Sequence, residues 1–230
     1  YYTAYDIHIM PGSFYGDPLA GLMYDIGAKL YAMGQHHAVY NNGKKYGADA
    51  VPDPGPQRIL DLGCGIGGST MPLAERFPDA EVWGIDLAEP MIRVAHQLFE
   101  ENDKKAIFVQ GDAAKTEFAD DFFDVVAATI LFHEVPVELG QQIVQEAHRI
   151  LRPGGWFVVS DVEPYRHLSP YRAFISDWQT ENNGEPFWRG FLESDLTEWF
   201  QTAGFSSVEE WGTEVPGSPR RNPWITRGQK

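Results

Sequence analysis

Within residues 58–70, RILDLGCGIGGST, three glycines, Gly63, Gly65 and Gly68, stand in the spacing G-x-G-x-x-G. A glycine turn between a strand and a helix lets a ligand approach the backbone closely. It also offers free helix N-terminal N–H groups, which suit an anion. Asp61, two residues before the first glycine, alters that chemistry, because a carboxylate beside the loop is awkward for a pyrophosphate and suited to an ammonium group. Asp86 ends an apolar run in GIDLAEP, where a carboxylate can accept hydrogen bonds from ribose hydroxyls. Asp112, in GDA, is spaced to accept from an adenine amino group. The loop and the ribose acid alone suit any adenine–ribose cofactor, nicotinamide dinucleotides included. His133 and Glu134, in TILFHEVP, are the candidates for moving a proton. The plainer reading of both is that they cap the next segment or bond to neighbouring loops.

These residues need a scaffold, and the chain supplies one from residue 58 onward. RILDL, AEVWGID, AIFVQ and FFDVVAATI read as short apolar strands, and LRPGGWFVVSD turns through Pro153-Gly154-Gly155 into a fifth. Helical spacing fills 67–77, 88–101 and 138–151 between them. FFDVVAATI is apolar almost throughout, as expected of a strand buried on both faces. A helix near 194–203 leads to SSVEEWGTEV and PWITRG, a strand pair whose Gly/Pro-containing loop favours an antiparallel hairpin. The fold predicted is α/β: a doubly wound, mostly parallel seven-stranded sheet with an antiparallel C-terminal hairpin.

With the motifs in this order, the chain resembles the class I S-adenosylmethionine-dependent methyltransferases. DLGCGIGG is similar to their first motif, GIDLAEPMI to the second, GDAAKTEFADDFFDVV to the stretch through the fourth strand, and EAHRILRPGGWFVVSD to the last. The resemblance covers residues 58–161. It implies that the loop with Gly63, Cys64 and Gly65 cradles the methionine end of S-adenosylmethionine, with Asp61 near its amine. It further implies Asp86 at the ribose, Leu87 against the adenine, Asp112 and Ala113 around the adenine edge, and Thr129 at the same cofactor. The position of His133 would face the methionine end or the acceptor.

Charge and composition bound the acceptor. With 33 acidic against 18 basic side chains, the formal net charge is −15, and the densest basic run is only SPRRNP near the C-terminus, so nucleic acid is not expected as a partner. No apolar run approaches the roughly 20 residues of a membrane-spanning helix, and no signal peptide is visible. A single cysteine excludes an intrachain disulfide and leaves too few thiols for a zinc cluster, which suits a reducing, cytoplasmic setting without a bound metal. The oligomeric state is left open.

Two segments lie outside the strand–helix alternation, residues 1–50 and 162–193, and all ten tyrosines fall in them. Leu19, Leu22, Met23, Ile26, Leu30 and Met33 follow helical spacing, which predicts a helical lid docking through that stripe. Residues 1–57 are thus expected to form a lid and 58–230 a cofactor-binding core with a lid insertion at 162–193. Tyr24, Tyr31, His37, Trp178 and Trp188 are the acceptor-facing candidates, because aromatic, polar-tipped segments suit an enclosed small organic acceptor. The expected activity is methyl transfer to a small molecule, on oxygen of a phenol or carboxylate. Carbon or nitrogen acceptors, a protein acceptor and a non-catalytic cofactor-binding module stand as alternatives.

Overall fold

Alternation along each strand decides which side of the sheet a side chain serves. In β1 (Arg58–Leu62), Ile59 enters one core, Leu60 and Leu62 enter the other, and Asp61 follows Ile59. The structure, a computed structural model, describes residues 2–10, 12–31, 44–53, 55–213 and 223–230, with the side chains of Ile9, Tyr31 and Gln179 excepted. His36, His37, Met33 and the basic run 218–222 lie outside the described residues.

Beside β1 run β2 (Glu81–Asp86), β3 (Ile107–Gln110), β4 (Phe123–Thr129) and β5 (Leu151–Asp161), all parallel. Strand β7 (Trp224–Gln229) pairs antiparallel with both β5 and β6 (Ser206–Gly212). The order β3-β2-β1-β4-β5-β7-β6 is the predicted seven-stranded sheet, and it reverses direction of growth between β1 and β4. A crevice at the carboxyl ends of those two strands is where such sheets hold their ligands. The Pro153-Gly154-Gly155 turn is accommodated inside β5 as a bulge. Its pairing jumps from Phe123 with Leu151 to Val125 with Trp156.

Helices α2 (Lys45–Asp49), α3 (Thr70–Arg76) and α4 (Glu89–Glu101) cover one face. Helices α5 (Val137–Ile150), α7 (Trp188–Glu193) and α8 (Leu196–Ala203) cover the other. There Leu60, Val126 and Phe157 pack with Ile143, Ala147, Trp199 and Phe200. Each such large side chain contributes about 1.5–3 kcal/mol when fully buried. Helix α6 (Pro170–Asn182) lies outside this packing and exposes Tyr171, Phe174, Ile175 and Trp178. Among the described residues no helix is long and apolar enough to cross a membrane.

Helix α1 (Ala20–Tyr31) reverses the expected docking. The stripe Leu19, Leu22, Met23, Ile26 and Leu30 faces solvent, with Leu30 74% exposed. The buried side carries Ala20, Tyr24 and Ala28, packed with Met91 and Val94 of α4. Gly21 explains the choice of face. A Cβ there would stand 2.4 Å from the carbonyl oxygen of Pro90 and 2.7 Å from Val94, so only glycine admits so close a helix approach. Close backbone packing through small residues wins over burial of the leucine stripe.

Candidate active site

A cavity opens at the carboxyl ends of β1, β2 and β4, with about 820 Å³ of space including its open mouth. One side is the glycine turn, where Gly63, Gly65 and Gly67 all take positive φ. A Cβ added at Gly65 would meet no protein atom within 4 Å, so the backbone there faces open cavity. The turn is held by Asp86 at the end of β2: its Oδ2 accepts from the Gly65 N–H at 2.9 Å and its Oδ1 from the Ala88 N–H at 2.9 Å. Burial pushes the Asp86 pKa up to about 6, against the lowering effect of those two N–H groups. Leu87, Asp112 and Ala113 continue this wall, and Asp112 also caps its own turn by accepting from the Ala114 N–H.

Asp61 is placed differently from expectation. It lies beneath the glycine turn, fully buried, and is not part of the cavity wall. Its Oδ2 accepts from the hydroxyls of Ser69 and Thr70, both at 2.7 Å, at the start of α3. Burial raises its pKa to about 6, with those hydroxyls partly offsetting. Following Ile59 in the strand alternation points it at α3, where Oδ2 anchors the loop to the helix, while its buried Oδ1 has no hydrogen-bond partner among the described residues.

The opposite wall begins where β4 ends. Thr129, Ile130, Leu131, Glu134 and Val135 line it, with Leu139 and Ile143 from α5. Ile130 has φ +58°, a genuine outlier for a β-branched residue, worth about 1–3 kcal/mol of strain. Asp161, the last residue of β5, holds the strained turn in place. Its Oδ2 accepts from the Leu131 N–H at 3.1 Å and the Phe132 N–H at 2.9 Å, while its Oδ1 meets His133 Nδ1 at 2.5 Å and the Val162 N–H at 2.7 Å.

His133 is therefore not the expected base. It is 3% exposed, absent from the cavity wall, and packed edge-on against Trp188 at 4.7 Å. Burial alone would lower its pKa, but Asp161, aided by Glu185 and Glu134, pushes it up to about 9. An imidazolium at neutral pH has no lone pair to take a proton. Glu134 is the group that faces the cavity. Its Oε1 lies 2.9 Å from His8 Nε2 and 3.9 Å from His133 Nε2. Burial would raise its pKa, yet His8 first, then His133 and Lys44, hold it below the ordinary carboxylate value.

The acceptor-facing candidates divide. Tyr24 lines the cavity, joined from the N-terminal segment by Tyr2, Phe14 and Lys44. Tyr31 ends α1, and nothing is described of its side chain. Trp178 is 53% exposed on α6, and Trp188 is buried behind His133 with its Nε1–H donating to Ser176 Oγ at 3.0 Å. Among the described residues no wall residue comes from 162–193, and Trp188 of that segment stands behind His133. Lys44, His8, Asp161 and Glu185 were not picked out as site residues by sequence reasoning. The available signal for Asp161 was its place at the carboxyl edge of the sheet, one residue beyond the Thr129–Ser160 pair.

His8, Glu134 and Glu185 also offer a nitrogen and two carboxylate oxygens within 4.8 Å of one another. The two carboxylates stand off different ring nitrogens, Nε2 for Glu134 and Nδ1 for Glu185 at 3.2 Å. One ion can take only one of these nitrogens, whereas an imidazolium donates from both, so the donor set suits a proton.

A doubly wound sheet with a glycine turn and a ribose-spaced acid at its switch point defines a Rossmann-like nucleotide-cofactor protein. A family model described as a methyltransferase domain matches residues 59–155. The chain is 30% identical over 190 residues to sll0829 of Synechocystis sp., described as an uncharacterised methyltransferase, covering 79% of this chain and 84% of that one. It is 36% identical over 121 residues to the demethylmenaquinone methyltransferase of Thermus thermophilus, covering 53% of this chain and 54% of that relative, about half its length. Among solved structures, phosphoethanolamine N-methyltransferase 2 of Haemonchus contortus shares the fold with a TM-score of 0.69 at 18% identity, over 95% of this chain and 60% of that one. The chain belongs to the class I S-adenosylmethionine-dependent methyltransferases, and S-adenosylmethionine is its cofactor. The open space over Gly65, the acids Asp86 and Asp112, and Lys44 in the wall fit the charged and hydroxylated parts of that group.

Proposed function

We propose that the chain methylates a small, uncharged, hydroxyl-bearing acceptor on oxygen, with Glu134 taking the acceptor's proton. Residues 1–57 form the cover on this reading and 58–230 the core. The glycine turn holds the methionine part of the cofactor, and Lys44 pairs with its carboxylate. Asp86 accepts from the ribose hydroxyls, and Leu87, Asp112 and Ala113 surround the adenine, with Thr129 closing the far side. Bound S-adenosylmethionine supplies a sulfonium methyl already activated for in-line displacement.

The observation that carries this reading is the Glu134 carboxylate in the cavity wall beside the apolar Leu131, Val135, Leu139 and Ile143, where His8, His133 and Lys44 favour its charged form. A carboxylate acceptor would meet Glu134, Asp86 and Asp112 against one lysine, so an anion is disfavoured and the phenol or enol class retained. Aligning acceptor and methyl in an apolar slot does most of the remaining work, because good alignment alone is worth effective molarities up to about 10⁵–10⁸ M.

The test offers methyl-labelled S-adenosylmethionine to phenols, alcohols, carboxylic acids, amines and a protein extract, with mass spectrometry of each fraction. Label in a phenol or other hydroxyl compound is the expected result. Label confined to carboxylic acids or protein overturns it, and cofactor binding without any transfer favours a binding module. Glu134→Gln should lower kcat by about 10²–10⁴-fold, the usual worth of a positioned base, and leave cofactor affinity within a few-fold. Unchanged kcat removes Glu134 from the chemistry.

A further inference from the structure

We infer that His8 is a positioning residue, a bridge from the N-terminal segment that ties the cavity carboxylate Glu134 to the buried carboxylate Glu185 and so completes the acceptor side of the site. The inference rests on the role proposed for Glu134.

The bridge joins places far apart in sequence. His8 Nε2 meets Glu134 on the turn after β4, and His8 Nδ1 meets Glu185 between α6 and α7. The main chain repeats the connection, since the His8 N–H donates to the Gly184 carbonyl at 2.8 Å and the Tyr5 ring packs edge-on to Phe187 at 4.9 Å. His8 adopts φ 53° and ψ 33°, a left-handed conformation that a non-glycine residue takes only when its surroundings impose it. The ring, 35% exposed, rests against Phe14, itself a wall residue.

With both glutamates ionised, only the imidazolium can donate toward both, because a neutral ring has one N–H. The groups facing His8 are Glu134 and Glu185, which favour the second proton, and His133, which opposes it. Burial also opposes it, yet the two carboxylates prevail and the His8 pKa stands above the ordinary histidine value. Glu185 is buried, which raises its own pKa, and its Oε2 has no hydrogen-bond partner among the described residues. The bridge thus fixes one Glu134 oxygen. Among the described residues, no hydrogen bond engages the other, Oε2, which is left for the acceptor hydroxyl.

His8→Gln and His8→Ala test this in the full chain. Loss of a charge-assisted hydrogen bond to Glu134 should lower kcat about tenfold or more, with acceptor KM and cofactor affinity within about threefold. Wild-type kcat should fall at alkaline pH as His8 loses its second proton, and that limb should be absent from both variants. Imidazole nitrogen NMR gives a reading independent of turnover. His8 should stay doubly protonated through neutral pH, and Glu134→Gln or Glu185→Gln should move its titration toward the ordinary value near 6.5. Retained kcat in His8→Ala, or an equal fall in cofactor affinity, overturns the positioning role. An ordinary His8 titration, insensitive to both glutamate variants, overturns the bridge. Binding of Zn²⁺ or Mn²⁺ alone that is lost in His8→Ala assigns the three residues to a metal instead. If Glu134→Gln leaves kcat intact while His8 titrates as expected, the proposed chemistry fails and the positioning role with it, and the bridge stands as a structural contact.

Discussion

Asp161→Ala should lower the melting temperature by about 6–20 °C, the largest stability loss expected of any single substitution around the site. Breaking a buried ion pair by removing one partner costs about 3–5 kcal/mol, and each kcal/mol shifts the melting point of a chain this size by about 2–4 °C. Asp161 and His133 are 2% and 3% exposed, so water replaces little of what is lost. The same carboxylate also accepts from three backbone N–H groups, two of them in the turn that follows the strained Ile130. Asp161→Asn keeps an acceptor for those groups and should lose less. The effect has a pH signature. His133 is raised from 6.5 to about 9 in the fold, so the pair's contribution is complete below about pH 6.5 and fades as pH rises through 9. The gap between wild type and Asp161→Ala should therefore narrow from pH 6.5 to 9.5, leaving only the part due to the backbone contacts. Thermal melts by circular dichroism across that range decide it. A small, pH-independent gap would show that the pair is not formed.

Asp86→Ala should weaken S-adenosylmethionine binding by about 100-fold or more. On the proposed role, Asp86 accepts two charge-assisted hydrogen bonds from the ribose, each worth about 1.5–3 kcal/mol, and about 3 kcal/mol is roughly a 100-fold change in Kd. The substitution also releases Gly65 and Ala88, whose N–H groups Asp86 holds, and so loosens the turn on the cofactor's other side. Burial puts the Asp86 pKa near 6, and ribose hydroxyls require the ionised form, so wild-type affinity should fall as pH drops below about 6. Stability of the free protein runs the opposite way. A carboxyl raised from 3.8 to about 6 contributes most when protonated, and that contribution is lost as pH rises through 6. Titration calorimetry from pH 5 to 8 measures the first effect. An Asp86→Ala variant with wild-type affinity, or affinity flat across that range, would remove Asp86 from the cofactor site.

Most of the scaffold was readable before the structure, because strand patterning and glycine spacing are local signals. β1, β4 and the hairpin β6–β7 stand where apolar runs and turn residues put them, and Gly65, Asp86 and Asp112 come together at one cavity as their places at strand ends require. What could not be read were facts of pairing between distant segments. His133 looks like a base until the fold buries it off the cavity wall, edge-on to Trp188. Asp61 is legible as a carboxylate beside the loop, but the hydroxyls of Ser69 and Thr70 that bond to it are not. The leucine stripe of α1 outweighs Ala20, Gly21 and Ala28 in any hydrophobicity argument. The close approach to Pro90 that selects the small face is a tertiary contact with no trace in the periodicity.

That small-residue seam has a kinetic consequence. A helix docked through alanine, glycine and part of one tyrosine removes little apolar surface from water, at about 25 cal/mol per Å², compared with the large aromatic core under α5 and α8. Lifting α1 away from α4 should therefore cost a small part of global unfolding and occur many times for every global unfolding event. Because Tyr24 of α1 lines the cavity, each lift should widen it and offer methylated product a way out. Hydrogen–deuterium exchange should show amides of residues 20–31 exchanging about two orders of magnitude or more faster than those of β4. Equal protection of the two would mean that departure uses another door.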